Sequence, residues 1–278
     1  MTTTIKTGLW AFIIAASAGT AFLFAPHAEA SHSWGGYHWA RTTPSFTLQL
    51  GDNVNSAWDA YLAAVSADWS ASSVLDTTIV AGGTNGTKGR LTPKNCSPTN
   101  GRVEVCNANY GSNGWLGLAQ IWISGTHIVQ GTTKLNDTYF NTSTYNTSAW
   151  RQFVMCQEVG HTFGLDHQDE NFSDPNMGTC MDYTNDPARN DGAGNNVHPN
   201  THDYEELSLI YAHLDSFNSF TTFFATKPGA ASLAKADNFE NASEWGKAIH
   251  TSSVGNPSLY VRDFGNGEKL FTFVIWAQ

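Results

Sequence analysis

The stretch Gln157-Glu158-Val159-Gly160-His161-Thr162-Phe163-Gly164-Leu165-Asp166-His167 decides how this chain is read. Just upstream, Trp150, Phe153 and Val154 share one face of a helix expected over about Ala149–Phe163. On that helix, positions 157 and 161 lie one turn apart and point the same way, with Glu158 beside them. Gly164 is placed to stop the helix and let the chain turn back, so that His167 swings toward His161. Two side chains one turn apart, a neighbouring carboxylate and a returning third ligand are what a helix needs to hold one metal ion and a base. Further on, Thr179-Cys180-Met181-Asp182-Tyr183 forms a compact Met-x-Tyr turn.

Together these residues resemble the metzincin zinc-peptidase signature, H-E-x-x-H-x-x-G-x-x-H followed by a Met-turn. Glu158, His161, Gly164 and His167 match it, Met181 and Tyr183 fall at the turn, and Gln157 stands where the family has its first His. The strand–helix–four-strand order before the helix is similar to the metzincin upper subdomain. Pro199, Asp203, Leu207, Ile210 and Tyr211 resemble the C-terminal helix of matrixin-like members. The resemblance covers roughly residues 40–215 and is nearest to bacterial matrixin-like proteins.

The resemblance implies a zinc endopeptidase acting on extended polypeptide. His161, His167 and the amide oxygen of Gln157 would hold the metal, and Glu158 would be general base toward a metal-activated water. Tyr183 would stabilise the oxyanion or simply pack, and Met181 would be a hydrophobic floor rather than a ligand. The strand around Trp115–Ile123 would edge the cleft and pair with substrate. An amide oxygen is a weaker donor to zinc than imidazole but equally neutral, so Gln157 costs affinity more than Lewis acidity. The alternative is a pseudopeptidase that binds protein or peptide in the same cleft. A further rival is a surface-adhesion or glycan-binding protein using the aromatic C-terminal part.

Working outward, the 278 residues carry 14 Lys+Arg against 24 Asp+Glu, a formal net charge of −10. No basic stripe exists to neutralise phosphates, which excludes a nucleic-acid binder. Charged residues are 14% of the chain, against about 25% in ordinary globular proteins, while 41% are hydrophobic, enough for a packed core. Asn, Ser, Thr and Gly fill the difference, a composition that leans extracellular. Lys6, the apolar run 8–25 and Ala28-Glu29-Ala30 read as a secretory signal peptide over 1–30, leaving no membrane span after cleavage. Residues 31–44 leave no room for a long propeptide before the first strand.

Four cysteines in an exported chain suggest two disulfides, with three possible connectivities. Cys96 and Cys106 flank the turn-rich Ser97–Gly101, which makes a local bridge the natural pairing and leaves Cys156 with Cys180. By the resemblance, the second bridge ties the active-site helix to the Met-turn.

Strands are expected at 45–50, 75–81, 102–107, 115–123 and 126–133, with helices over Trp58–Trp69 and 202–215 and a loop from Asn136 to Ser148. The fold class is α+β with an α/β-like upper part, a mixed twisted sheet layered with helices. A domain over 31–215 is followed by 216–278, read as a small β appendage with a hairpin turning at Gly265-Asn266-Gly267. The chain is read as a monomer. Asp169, Glu170, Asp174 and Asp182 form an acidic cluster that suits calcium but reads by default as a solvated loop. His127 reads as an edge or core histidine. His32 and His38, near Trp34 and Trp39, are alternative sources of the missing imidazole, with local packing as their default.

Overall fold

The computed structural model describes Met1 and residues 31–83, 96–220 and 239–278. The expected signal peptide and most of the linker after Phe220 lie outside these residues. A short strand, β1 (His38–Trp39), opens the fold. Phe46, Leu48 and Leu50 then alternate with Thr47 and Gln49, and the segment forms β2 (Phe46–Asn53) with the apolar set buried. The period changes in α1 (Asp59–Trp69), which buries Leu62, Val65 and Trp69. After it come β3 (Leu75–Ala81), β4 (Val103–Ala108), β5 (Trp115–Ser124) and β6 (His127–Asn136).

The expected loop after β6 contains a turn of helix, α2 (Asp137–Phe140), because the Asn136 side chain accepts from the Thr138 amide. The long central helix is α3 (Ser148–His161), and α4 (Thr201–Ile210) follows the irregular stretch beyond it. The last helix ends five residues earlier than its apolar pattern suggests (Ile210 against 215), at Tyr211, whose side chain is committed to the core. An exposed strand, β7 (Lys247–Thr251), escapes sequence reading because it carries no alternation to bury. The hairpin β8 (Pro257–Gly265) and β9 (Glu268–Trp276) turns at Asn266, which takes a positive φ of 55°.

The strands form one mixed sheet in the order β3-β2-β4-β6-β5-β9-β8-β7, with β1 alongside β6. β2, β3, β4 and β6 run parallel, and β5 turns antiparallel to β6. The class is therefore mixed α+β, with one large twisted sheet and few helices.

One expectation changes here. Residues 257–276 do not stand apart as an appendage, because β9 pairs antiparallel with β5 along its length, from Trp115 to Ser124. Phe271, Phe273 and Ile275 of β9 belong to the core beneath α3, while Leu270 and Val274 belong to a second core on the opposite face with Trp245 and Trp122. A strand buried on both faces has to be apolar almost throughout, and Leu270-Phe271-Thr272-Phe273-Val274-Ile275-Trp276 is. For the same reason β5 has no free edge for substrate, since β6 and β9 occupy its two sides.

Ending the chain after Asn256 removes β8 and β9 and bares both cores. We expect that chain to lose cooperative thermal unfolding, read by near-ultraviolet circular dichroism. An unchanged transition would mean that the hairpin is peripheral after all.

Candidate metal centre

Helix α3 starts at Thr147, whose hydroxyl accepts from the Trp150 amide, and every residue from Trp150 to His161 is buried. A helix end inside a protein needs donors for its free carbonyls. Here they come from large side chains. The indole of Trp34 donates to His161 O at 3.1 Å, that of Trp39 to Thr162 O at 2.9 Å, and the Tyr211 hydroxyl to Phe163 O at 3.0 Å. Gly164 then takes φ +107°, and a Cβ there would lie 2.6 Å from the Tyr37 carbonyl, so only glycine fits the turn.

The turn brings His167 back to His161, their Nε2 atoms 3.0 Å apart. His161 Nδ1 lies 2.8 Å from Leu165 O, and His167 Nδ1 lies 2.7 Å from a Glu170 carboxylate oxygen. A carbonyl only accepts, and so does an ionised carboxylate, so each Nδ1 carries a proton. With both rings neutral, each Nε2 turns a lone pair toward the other, an opposition that a shared cation removes. Burial, and next the proximity of the second imidazole, His167, holds His161 well below the ordinary imidazole range, which keeps it neutral and fit to coordinate.

Gln157 lies one turn before His161. Its Nε2 donates to Cys180 O at 2.7 Å, which leaves Oε1 buried without a hydrogen-bond partner. The only Gln atom able to ligate a cation is thus the orphaned one. Two neutral imidazoles and one amide oxygen are a donor set that a zinc-class ion accepts.

The Met-turn lies beneath. Disulfides join Cys156 to Cys180 and Cys96 to Cys106. A Cβ on Gly160 would sit 2.7 Å from Met181 Sδ and 2.7 Å from the Trp69 ring, so the helix, the Met-turn and α1 meet at a glycine. Gly160→Ala is expected to lower Tm despite alanine's better helix propensity, because the Trp69 ring cannot retreat; a raised Tm in differential scanning calorimetry would contradict this contact.

Glu158 is fully buried, and neither of its oxygens makes a well-formed hydrogen bond. Burial pushes its carboxyl well above the usual range, with the Ile275 and Ala119 amides offsetting part of that cost. These amides belong to β9 and β5, so the C-terminal strand covers the site. Phe273 stacks on His161 with ring centroids 4.0 Å apart and planes 11° from parallel. The Tyr183 hydroxyl donates to Val274 O at 3.1 Å, and its ring lies 4.3 Å from that of His167. With β9 in place Tyr183 holds the C-terminal strand, and its hydroxyl is not turned to an oxyanion.

The acidic cluster is partly as expected. Asp169, Asp174 and Asp182 bring one carboxylate oxygen each within 4.8 Å of one another, but Glu170 turns away to His167. Burial raises Asp182 to about 6 from an ordinary 3.8. The folded state therefore holds this proton more tightly than the unfolded chain does, and the associated stability, full below about pH 4, is lost as pH rises through about 6. Asp182→Asn should accordingly raise Tm at pH 7–8 in chelator, with the gain shrinking toward pH 4 in a Tm–pH series.

Neither suggested replacement imidazole reaches α3's pair. His32 directs Nδ1 to Asp166 O and Nε2 toward Asp203, while His38 faces Asp215. Sequence reasoning missed the carbonyl-capping roles of Trp34 and Trp39 and the covering role of Phe273; two tryptophans within six residues were the visible signal for the former. No protein-family model matches the chain, and no curated protein sequence matches it.

Proposed function

We propose that this chain is an exported, zinc-dependent endopeptidase of metzincin type, acting on polypeptide in extended conformation. The observation that supports it most is the approach of the His161 and His167 Nε2 atoms to 3.0 Å, one helical turn from the orphaned Oε1 of Gln157. A bound zinc ion supplies Lewis acidity, polarising the scissile carbonyl and acidifying water. Glu158 takes the proton of the attacking water at its carboxylate and passes it to the leaving amine; its burial raises its proton affinity toward the range such work needs. Leu165 O and Glu170 fix the tautomer and aim of the two imidazoles. The Gln157 amide is held by Cys180 O, so its oxygen is presented without rotamer freedom. Two disulfides, and no helix among the described residues long and apolar enough to cross a membrane, accord with export.

In this reading β9 occupies the strand position that an extended substrate would take against β5, and the arrangement is a closed form that substrate or a partner must open. The same pairing favours a second reading, a pseudopeptidase that uses the cleft only for binding.

The test uses the full chain loaded with zinc and an unfolded polypeptide as substrate. We expect hydrolysis that Glu158→Gln lowers by at least about 10²-fold while zinc bound through His167 persists. Gln157→His should tighten zinc by about 10–100-fold. Hydrolysis appearing only in Gln157→His would establish the pseudopeptidase reading, and zinc binding indifferent to His167→Ala would sink both.

A further inference from the structure

We propose that His38, His127, His213 and Asp215 form a second metal site, a closed structural site for a zinc-class divalent ion, independent of the His161–His167 pair. Three distant segments build it. The parallel register of β1 on β6 sets His38 opposite His127, with ring centroids 4.9 Å apart. The chain leaving α4 brings His213, its ring 4.6 Å from that of His38, and then Asp215, which is fixed by exchanging hydrogen bonds with the Arg41 backbone. Ligand atoms of His38, His213 and Asp215 all lie within 4.8 Å of one another.

The distances suit one ion. From the Asp215 carboxylate oxygens, His127 Nε2 is 3.0 Å away, His38 Nε2 3.5 Å and His213 Nε2 3.9 Å. In a tetrahedral shell with bonds of about 2.0–2.1 Å, ligand atoms stand about 3.3–3.4 Å apart; His127 and His213 lie on either side of that value from Oδ1 of Asp215, while His38 approaches Oδ2. His38 supplies an independent sign. Its Nδ1 lies 2.9 Å from Gly36 O, so Nδ1 carries a proton, and Nε2, 3.5 Å from an Asp215 oxygen, is the atom left to ligate in the neutral ring. That Nε2 is buried and makes no hydrogen bond, an arrangement a cation resolves. His38, His213 and Asp215 supply three ligand atoms within reach of one ion, and His127, held 3.0 Å from Asp215 just outside that group, is the fourth donor that would close the shell and make the site structural rather than catalytic. Its effect is to clip β1, β6 and the segment after α4 together, next to the tryptophans that cap α3.

The experiment counts Zn²⁺ bound to the full chain after stripping with chelator and reloading. The His167→Ala chain reads this site free of the other, and it should retain one equivalent. His213→Ala, at a side chain 58% exposed and so without packing cost, should remove that equivalent or weaken it by at least about tenfold. His127→Gln should do the same. Co²⁺ loaded into His167→Ala should show a tetrahedral d–d spectrum that adding His213→Ala abolishes, and in the His167→Ala background Zn²⁺ should raise Tm only where His213 is present. If His167→Ala does not fold, the difference in bound zinc between parent and His213→Ala reads the same quantity. A His167→Ala chain that folds and binds no zinc, or zinc that persists through both His213→Ala and His127→Gln, would overturn the proposal and leave an ion-paired histidine cluster. This outcome is separate from the fate of the α3 site, which rests on His167.

Discussion

The structure depends on a helix buried from its third residue to its end. From Trp150 to His161 every residue of α3 is buried, and the carbonyls released at its C-terminal end lie inside the protein. Leaving such groups unpaired costs about 1–3 kcal/mol each. The solution is to bring Trp34, Trp39 and Tyr211 from chain segments on either side of α3 in sequence. Aromatic side chains suit this because the ring adds to the core while its one polar atom reaches the carbonyl. The turn at Gly164, the return of His167 and the placing of β1 beside β6 all depend on that end being satisfied.

The polar groups on α3 follow a similar logic. Gln157, Glu158 and His161 are buried where each would be a liability alone. His161 and Gln157 are each fixed through one atom, by Leu165 O and Cys180 O, which leaves Gln157 Oε1 unpaired and turns His161 Nε2 to His167. The Cys156–Cys180 bridge holds the helix and the Met-turn in the register this needs. A closed disulfide loop of this length contributes about 3–4 kcal/mol in the chain-entropy model. The turn that carries Met181 also carries Asp182, so the packing against Gly160 and the acidic cluster, whose Asp169 and Asp174 are half-buried, are mechanically one piece.

Local features of the fold are legible in the sequence, and pairings at a distance are not. The strand alternation of Phe46–Leu50, the helix through His161 and the stop at Gly164 each have a short-range cause, a period or a steric freedom, and the structure has them. The placement of His161 against His167 is equally local. By contrast, β9 joins β5 across more than 140 residues, and nothing in either strand names the other. The apolar run Leu270–Trp276 suits burial on two faces, but read alone it gives only a hairpin strand and not the strand it covers. His38, His127 and His213 are similarly mute, because each is a lone histidine on its own segment until sheet register and the exit from α4 bring them together.

The antiparallel pairing of β9 on β5 sets Phe273 opposite Ala119 and turns its ring onto His161. Side chains along a strand alternate faces, so a slip of one residue would rotate Phe273 to the far side and present Thr272 or Val274 to the imidazoles. Cover over His161 is therefore a matter of strand register rather than of side-chain rotation. It has discrete settings, and moving between them breaks and remakes a row of backbone hydrogen bonds.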